Sequence, residues 1–216
     1  MTNPVIDNIR RSLGRTVQSP IEPRPVIYAS RQAESLESDM EHFLDEITKL
    51  SAVGEQLSPK EIDSALKSLV TEQNIRKATV WETASLRQLG VAEILNSLGV
   101  ELVSANADKY EMAQCDLGIT EADFLLPETG TLILKSSHEK PRAVSLLPRI
   151  HLAIVRPEML RADMHQVFAE AKYSNYLVFI TGPSRTADIE LTVTLGVHGP
   201  RNLFVWVVED RKNHHN

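Results

Sequence analysis

Cysteine is nearly absent: Cys115 is the only one in 216 residues. The chain therefore forms no internal disulfide and cannot by itself supply the cysteines of an iron-sulfur cluster. Any such cluster belongs to a partner. An excess of basic charge is also lacking, since the formal net charge is -6, and that removes the electrostatic footprint of a nucleic-acid binder. No run approaches the roughly 20 apolar residues of a membrane span. The first residues, where Asp7, Arg10 and Arg11 interrupt isolated apolar positions, lack the continuous apolar core of a signal peptide. A soluble protein of the cytoplasm is expected. Neither G-x-x-x-x-G-K-[ST] nor G-x-G-x-x-G occurs, so P-loop and Rossmann dinucleotide readings have no motif to rest on.

What is present is ordinary for a globular chain, with 42% hydrophobic and 24% charged residues. The length suits one α/β domain with a small appendage. Residues 1–34 read as the appendage and 35–216 as the domain. Val5, Ile6, Ile9 and Leu13 lie on one helical face, and Pro20, Pro23 and Pro25 then mark an extended linker. Within the domain, Met40, Phe43, Leu44, Ile47 and Leu50 recur at helical spacing. Ser58-Pro59-Lys60-Glu61 is a capping box with proline at the first helical position. Strands are expected at 78–81, 100–103, 152–155, 177–180 and 203–208, and helices at 91–98, 109–114 and 157–172. Strands alternating with helices imply a parallel sheet covered on both sides.

Three stretches concentrate chemistry. Glu128 is the sole charge in Phe124 to Leu134, between Pro127 and Gly130. It is either the tip of a β-hairpin or an acid at a pocket rim beside the Thr129 and Thr131 hydroxyls. Glu121 and Asp123, beside Thr120, read as turn or helix-start acids before they read as catalytic ones. In the polar loop that follows, Arg142 offers a bidentate cation for a carboxylate or phosphate, or else a salt bridge.

The third stretch lies between two apolar runs. Gly182-Pro183-Ser184-Arg185-Thr186 can hold an anion through backbone, hydroxyl and charge, or form a plain turn and helix cap. Ala187 to Leu195 alternates strictly, which indicates a strand, while Gly196 after it and acids at its start indicate a helix. The element spans roughly 15 Å as helix or about 30 Å as strand, so spacing places Ser184 and His198 at its opposite ends, either in separate sites or brought together by a neighbouring subunit. His198 has no second histidine or acid at ligand spacing, and no metal is expected.

Read together, Gly118-Ile119-Thr120-x-Ala122-Asp123, Glu128-Thr129-Gly130-Thr131, Leu146-Leu147-Pro148-x-x-His151, Gly182-Pro183-Ser184-Arg185-Thr186-Ala187-Asp188-Ile189-Glu190 and Gly196-Val197-His198-Gly199-Pro200 resemble the LUD-domain family over roughly residues 35 to 210. That family belongs to the NagB/RpiA/CoA-transferase-like superfamily. The resemblance implies a three-layer α/β/α fold with a mainly parallel sheet, and a helix after Ser184. It further implies a non-iron-sulfur subunit of a lactate utilization system oxidising L-lactate to pyruvate. Such a subunit would work beside iron-sulfur subunits, with no cofactor bound by this chain alone, binding a small anionic metabolite and/or organising the partner subunits; a homo-oligomer is left open.

Two alternatives stand beside it, a small-molecule-sensing module and a stand-alone enzyme similar to the superfamily's CoA transferases or sugar-phosphate isomerases. Glu128-Thr129-Gly130 is similar to the Glu-Asn-Gly of the transferases, whose glutamate forms an acyl-CoA thioester, although threonine replaces asparagine and the glycine-rich CoA motif is missing. The candidate catalytic residues are thus Glu128, His198 and Asp188. The candidate ligand-binding residues are Thr129, Gly130, Thr131, Arg142, Gly182, Ser184, Arg185, Thr186 and Glu190.

Overall fold

The computed structural model describes residues 4–14, 34–186, 194–196 and 198–209. In chain order the elements are α1 (Pro4–Ser12), α2 (Leu36–Lys49), β1 (Val53–Leu57), α3 (Ile62–Glu72), β2 (Lys77–Val80), α4 (Ala84–Gln88), α5 (Val91–Ser97), β3 (Glu101–Val103), α6 (Lys109–Met112), β4 (Leu117–Glu121), β5 (Phe124–Leu126), β6 (Thr131–Lys135), α7 (Ala143–Leu146), β7 (Ile150–Val155), α8 (Met164–Ala171), β8 (Leu177–Ile180), β9 (Arg185–Thr186), β10 (Thr194–Leu195) and β11 (Asn202–Val208). Six strands form one sheet in the order β1-β11-β7-β4-β2-β3, and every neighbouring pair is parallel. No helix among the described residues is long and apolar enough to cross a membrane.

The central strands read as apolar runs because helices cover both faces. Ile150 to Val155 is buried throughout, and Val205, Val207 and Val208 are fully enclosed. Residues paired across neighbouring strands share a face, which fixes the layers. A Cβ on Gly118 would overlap the Val144 carbonyl oxygen, so this face of β4 carries α7. Gly118 pairs with His151, and His151 with Leu203. Two residues on from Leu203, Val205 pairs with Gly54, whose missing Cβ leaves room for Leu44 and Ile47 of α2. One layer therefore holds α2 and α7. On the opposite face, Phe204 and Trp206 line a hollow together with Ser64, Ala65 and Leu69 of α3, and α3 packs on α5. Helix, sheet and helix make three layers.

The capping box is present: the Glu61 carboxylate accepts from the Ser58 backbone N–H at 2.7 Å, with Pro59 opening the first turn. The hairpin also forms. β5 and β6 are antiparallel, joined by a 3-10 turn at Pro127–Thr129 and by Gly130 at φ 58°.

Three details differ from the sequence expectations. The helix expected over 157–172 breaks into a 3-10 turn, Pro157–Met159, and α8, because Leu160 is extended and bridges Leu125 while Arg161 N–H donates to the Leu125 carbonyl. Asp163 then caps a new helix by accepting from Gln166 N–H. β8 joins a small antiparallel sheet, β5-β6-β8, rather than the main one. No helix starts directly after Ser184 either: Arg185 and Thr186 pair antiparallel with Leu195 and Thr194, in keeping with β-branched threonines. Ala187 to Val193 lie outside the described residues.

Candidate functional site

The site begins inside the sheet. Thr120 and His151, from adjacent strands, face the α7 layer beside the close contact at Gly118. The Thr120 hydroxyl lies 2.8 Å from His151 Nε2, and both residues are buried. His151 Nδ1 has no partner among the described residues. Burial pushes the imidazole pKa down to about 3, so the ring is neutral. Above it, α7 contributes Ser145, also buried, whose hydroxyl donates to the Arg142 carbonyl at 2.9 Å.

A cleft of about 150 Å³ opens over His151. One wall is Thr181 to Ser184, the other His198 to Pro200, and Phe179 and Leu203 add apolar surface. The walls are tied together: Ser184 N–H donates to the Pro200 carbonyl at 3.0 Å, and Gly196 N–H to the Ser184 carbonyl at 2.9 Å. A Cβ on Gly199 would come within 3.1 Å of Ser184 Cβ, so glycine is what allows this approach. Spacing alone set Ser184 and His198 apart within one subunit. The chain instead doubles back through the β9–β10 pair, and both residues line one cleft.

The other expected residues are distributed around it. Thr129 and Thr131 hydroxyls are 2.7 Å apart, and Thr131 reaches Thr181 at 2.9 Å, so a hydroxyl chain links the hairpin to the cleft wall. Gly130 abuts α2, where a Cβ would meet Ile47 N at 2.8 Å, and Gly182, at φ 84°, abuts Leu50. Glu128 is exposed at the hairpin tip, outside the lining of the cleft. Arg142 is exposed and stacks on Tyr176, 4.2 Å from the ring centroid. Arg185 donates to the Leu50 carbonyl and to Ser51 Oγ at 3.1 Å, closing the C-terminal end of α2. Thr186 pairs with Thr194. Asp188 and Glu190 lie outside the described residues. The cleft thus unites Gly182, Ser184 and His198, with Thr131 one hydroxyl bond away and Thr129 two, and leaves Glu128, Arg142 and Arg185 aside.

His151, Ser145 and Thr120 were not among the expected site residues. A signal existed for His151, as the one polar residue in the six-residue run Ile150–Val155, where a buried polar group needs a reason. The acids beside Thr120 are accounted for locally. Glu121 ends β4 and is buried, and Asp123 accepts from Lys135 N–H at 2.7 Å and pairs with Lys140 at 3.1 Å.

A second cleft, about 270 Å³, lies at the carboxyl ends of β2 and β3, with Val80, Trp81, Leu86 and Leu102 as its apolar lining and Glu82 and Arg87 at its edge. Arg87 is committed to backbone carbonyls, those of Glu82 at 2.9 Å and Thr83 at 3.4 Å.

A six-stranded parallel sheet in three layers, with a histidine-floored cleft beside α7, defines an α/β protein of the kind the sequence motifs implied. The LUD domain pattern matches residues 40–208, and the chain belongs to the LUD-domain family. It is 31% identical over 221 residues to "Lactate utilization protein C" of Shouchella clausii, covering 95% of this chain and 96% of that one. A protein of the same name from Halalkalibacterium halodurans is 31% identical over 225 residues, with 95% and 96% covered. Among solved structures, a duf162 family protein from Deinococcus radiodurans shares the fold at a TM-score of 0.64 and 24% identity, over 82% of this chain and all of that one.

Proposed function

We propose that the protein is the ligand-binding, non-iron-sulfur member of a lactate utilization system, holding a small carboxylic acid in the cleft over His151. The observation that carries this is His151, which lines a cleft of about 150 Å³ and whose buried Nδ1 has no partner among the described residues. Buried polar atoms are normally satisfied, and an orphan beside an open space of this size fits a ligand's oxygen. A volume of about 150 Å³ admits a molecule as large as benzene in an apolar cavity, so a three-carbon acid is accommodated. Ser184 offers a hydroxyl with no partner among the described residues, and the exposed His198 lines the same cleft. The lactate assignment is supported by the names of the relatives.

The proposed division of labour, in which partners carry the clusters during oxidation of L-lactate to pyruvate, is supported by the lone cysteine. Cys115 is buried, and burial pushes its thiol pKa up to about 11. A thiol so reluctant to ionise is a poor metal ligand or nucleophile. Glu128 contributes no comparable support for acyl transfer, because its carboxylate is exposed at a hairpin tip.

Calorimetric titration and thermal melting with L-lactate and pyruvate test the ligand assignment. Saturation by one of them, raising stability by about 2.7 kcal/mol at 100 times its dissociation constant, and weakened by Ser184→Ala, is the expected result. Absence of any heat or shift with both acids overturns it. Co-purification with iron-sulfur proteins tests the assembly separately, and a chain that never recovers such a partner overturns that part.

A further inference from the structure

The tautomer of His151 is set by its neighbour. The Thr120 hydroxyl has one proton, and His151 Nε2, at 2.8 Å, is its only partner among the described residues. Thr120 is fully buried in a strand paired on both sides, where the ladders occupy the adjoining backbone groups. Were Nε2 to carry a proton, Thr120 would act as acceptor and its own proton would be stranded in the sheet. With the hydroxyl donating to Nε2, every polar atom of the pair is satisfied except Nδ1–H, which belongs to a residue that lines the cleft.

We propose that Thr120 locks His151 in the Nδ1–H tautomer, so that the cleft holds its ligand through a neutral donor directed at a carbonyl or carboxylate oxygen. The ligand half rests on the function proposed above. The ligand class follows from the donor: a small 2-oxo or 2-hydroxy acid supplies the acceptor oxygen, whereas an amine or alkyl group of the same size leaves Nδ1–H unpaired. A nitrogen that already carries a proton does not take one from a substrate hydroxyl. His151 is then a binding residue and Thr120 its positioning residue, and any base acting on a hydroxy acid is another group. The neutral ring also avoids burying a charge in the sheet.

Long-range proton–nitrogen correlation spectra of the full chain labelled with ¹⁵N-histidine read the tautomer directly, with the His151 signals assigned by their loss in His151→Phe. The expected spectrum has Nδ1 protonated and Nε2 bare; Thr120→Ser retains it, and Thr120→Val shifts it toward Nε2–H. An Nε2–H signature in the unaltered protein, or an unchanged spectrum in Thr120→Val, overturns the lock. Pyruvate and L-lactate serve as binding probes. Affinity for whichever binds falls about tenfold in His151→Phe, the loss of one hydrogen bond to a charged acceptor, and Thr120→Val, nearly isosteric, supplies the same reading if His151→Phe does not fold. Unchanged affinity in these variants overturns the ligand contact while leaving the proposed function intact. Failure of the unaltered protein to bind either acid overturns that function instead, and the spectrum still decides the lock.

Discussion

The cleft beside Trp81 is the roomier one and lies at the carboxyl ends of parallel strands, where open α/β sheets usually hold ligands. Two of its polar side chains are already engaged: Trp81 Nε1 donates to the Pro141 carbonyl at 3.0 Å, and Arg87 to two backbone carbonyls. The cleft over His151 is smaller, yet its floor is a histidine from the sheet itself with one nitrogen unsatisfied among the described residues. Volume and position favour the first, and unmet hydrogen bonding favours the second. Because an unpaired buried donor costs stability until something meets it, the second is the better indicator of a ligand, and the comparison can be broken at several points.

The largest effect is expected at Gly118, under α7. Gly118→Ala drives a methyl into the Val144 carbonyl oxygen, and a backbone obstacle cannot rotate away; a loss of about 4 kcal/mol or more, seen as a lowered urea midpoint, is expected. Next comes pH. His151 has a folded pKa of about 3 against an ordinary 6.5, so on acidification the unfolded chain takes up its proton first. The stability from neutral burial is complete above about pH 6.5 and falls by about 1.4 kcal/mol per unit down toward pH 3. Urea melts across that window, with His151→Phe lacking this component, measure it.

Smaller effects separate backbone from contact. Gly90, between α4 and α5 near the Trp81 cleft, is at φ 67° with open space around it; Gly90→Ala should cost about 1 kcal/mol, from the left-handed backbone alone. Arg185→Ala should cost about 1 kcal/mol through the freed Leu50 carbonyl at the end of α2, read by thermal melting. The smallest effect sharpens the contrast most: Arg87→Ala should leave pyruvate and L-lactate affinity unchanged in calorimetry, and a loss there would move the ligand to the other cleft.

Much of the fold was legible in the chain. Helical periodicity and the Ser58 capping box gave α2 and α3, and short apolar runs gave most strands of the main sheet. β4 was missed because Leu117–Glu121 carries glycine and glutamate, residues depleted in strands, and breaks the apolar run with a threonine hydroxyl; here Gly118 admits α7 and Thr120 meets His151. The site was less legible, since Ser184, His198 and His151 converge only through the reversal at β9–β10 and the parallel register of β7. Neither is written in local spacing. Arg185, with a sequence context suited to anions, is instead used to finish a helix.

The position of β11 bears on how the protein is made. It lies between β1, the first strand of the main sheet, and β7, although it is the last strand of the described chain. Until residues 202–208 have left the ribosome, β1 has no neighbour in that sheet, and Leu203 is missing from the cleft. A nascent chain halted before that point carries bare strand edges on β1 and β7, open to pairing with other chains. Completion of the sheet and completion of the cleft therefore await the same final segment.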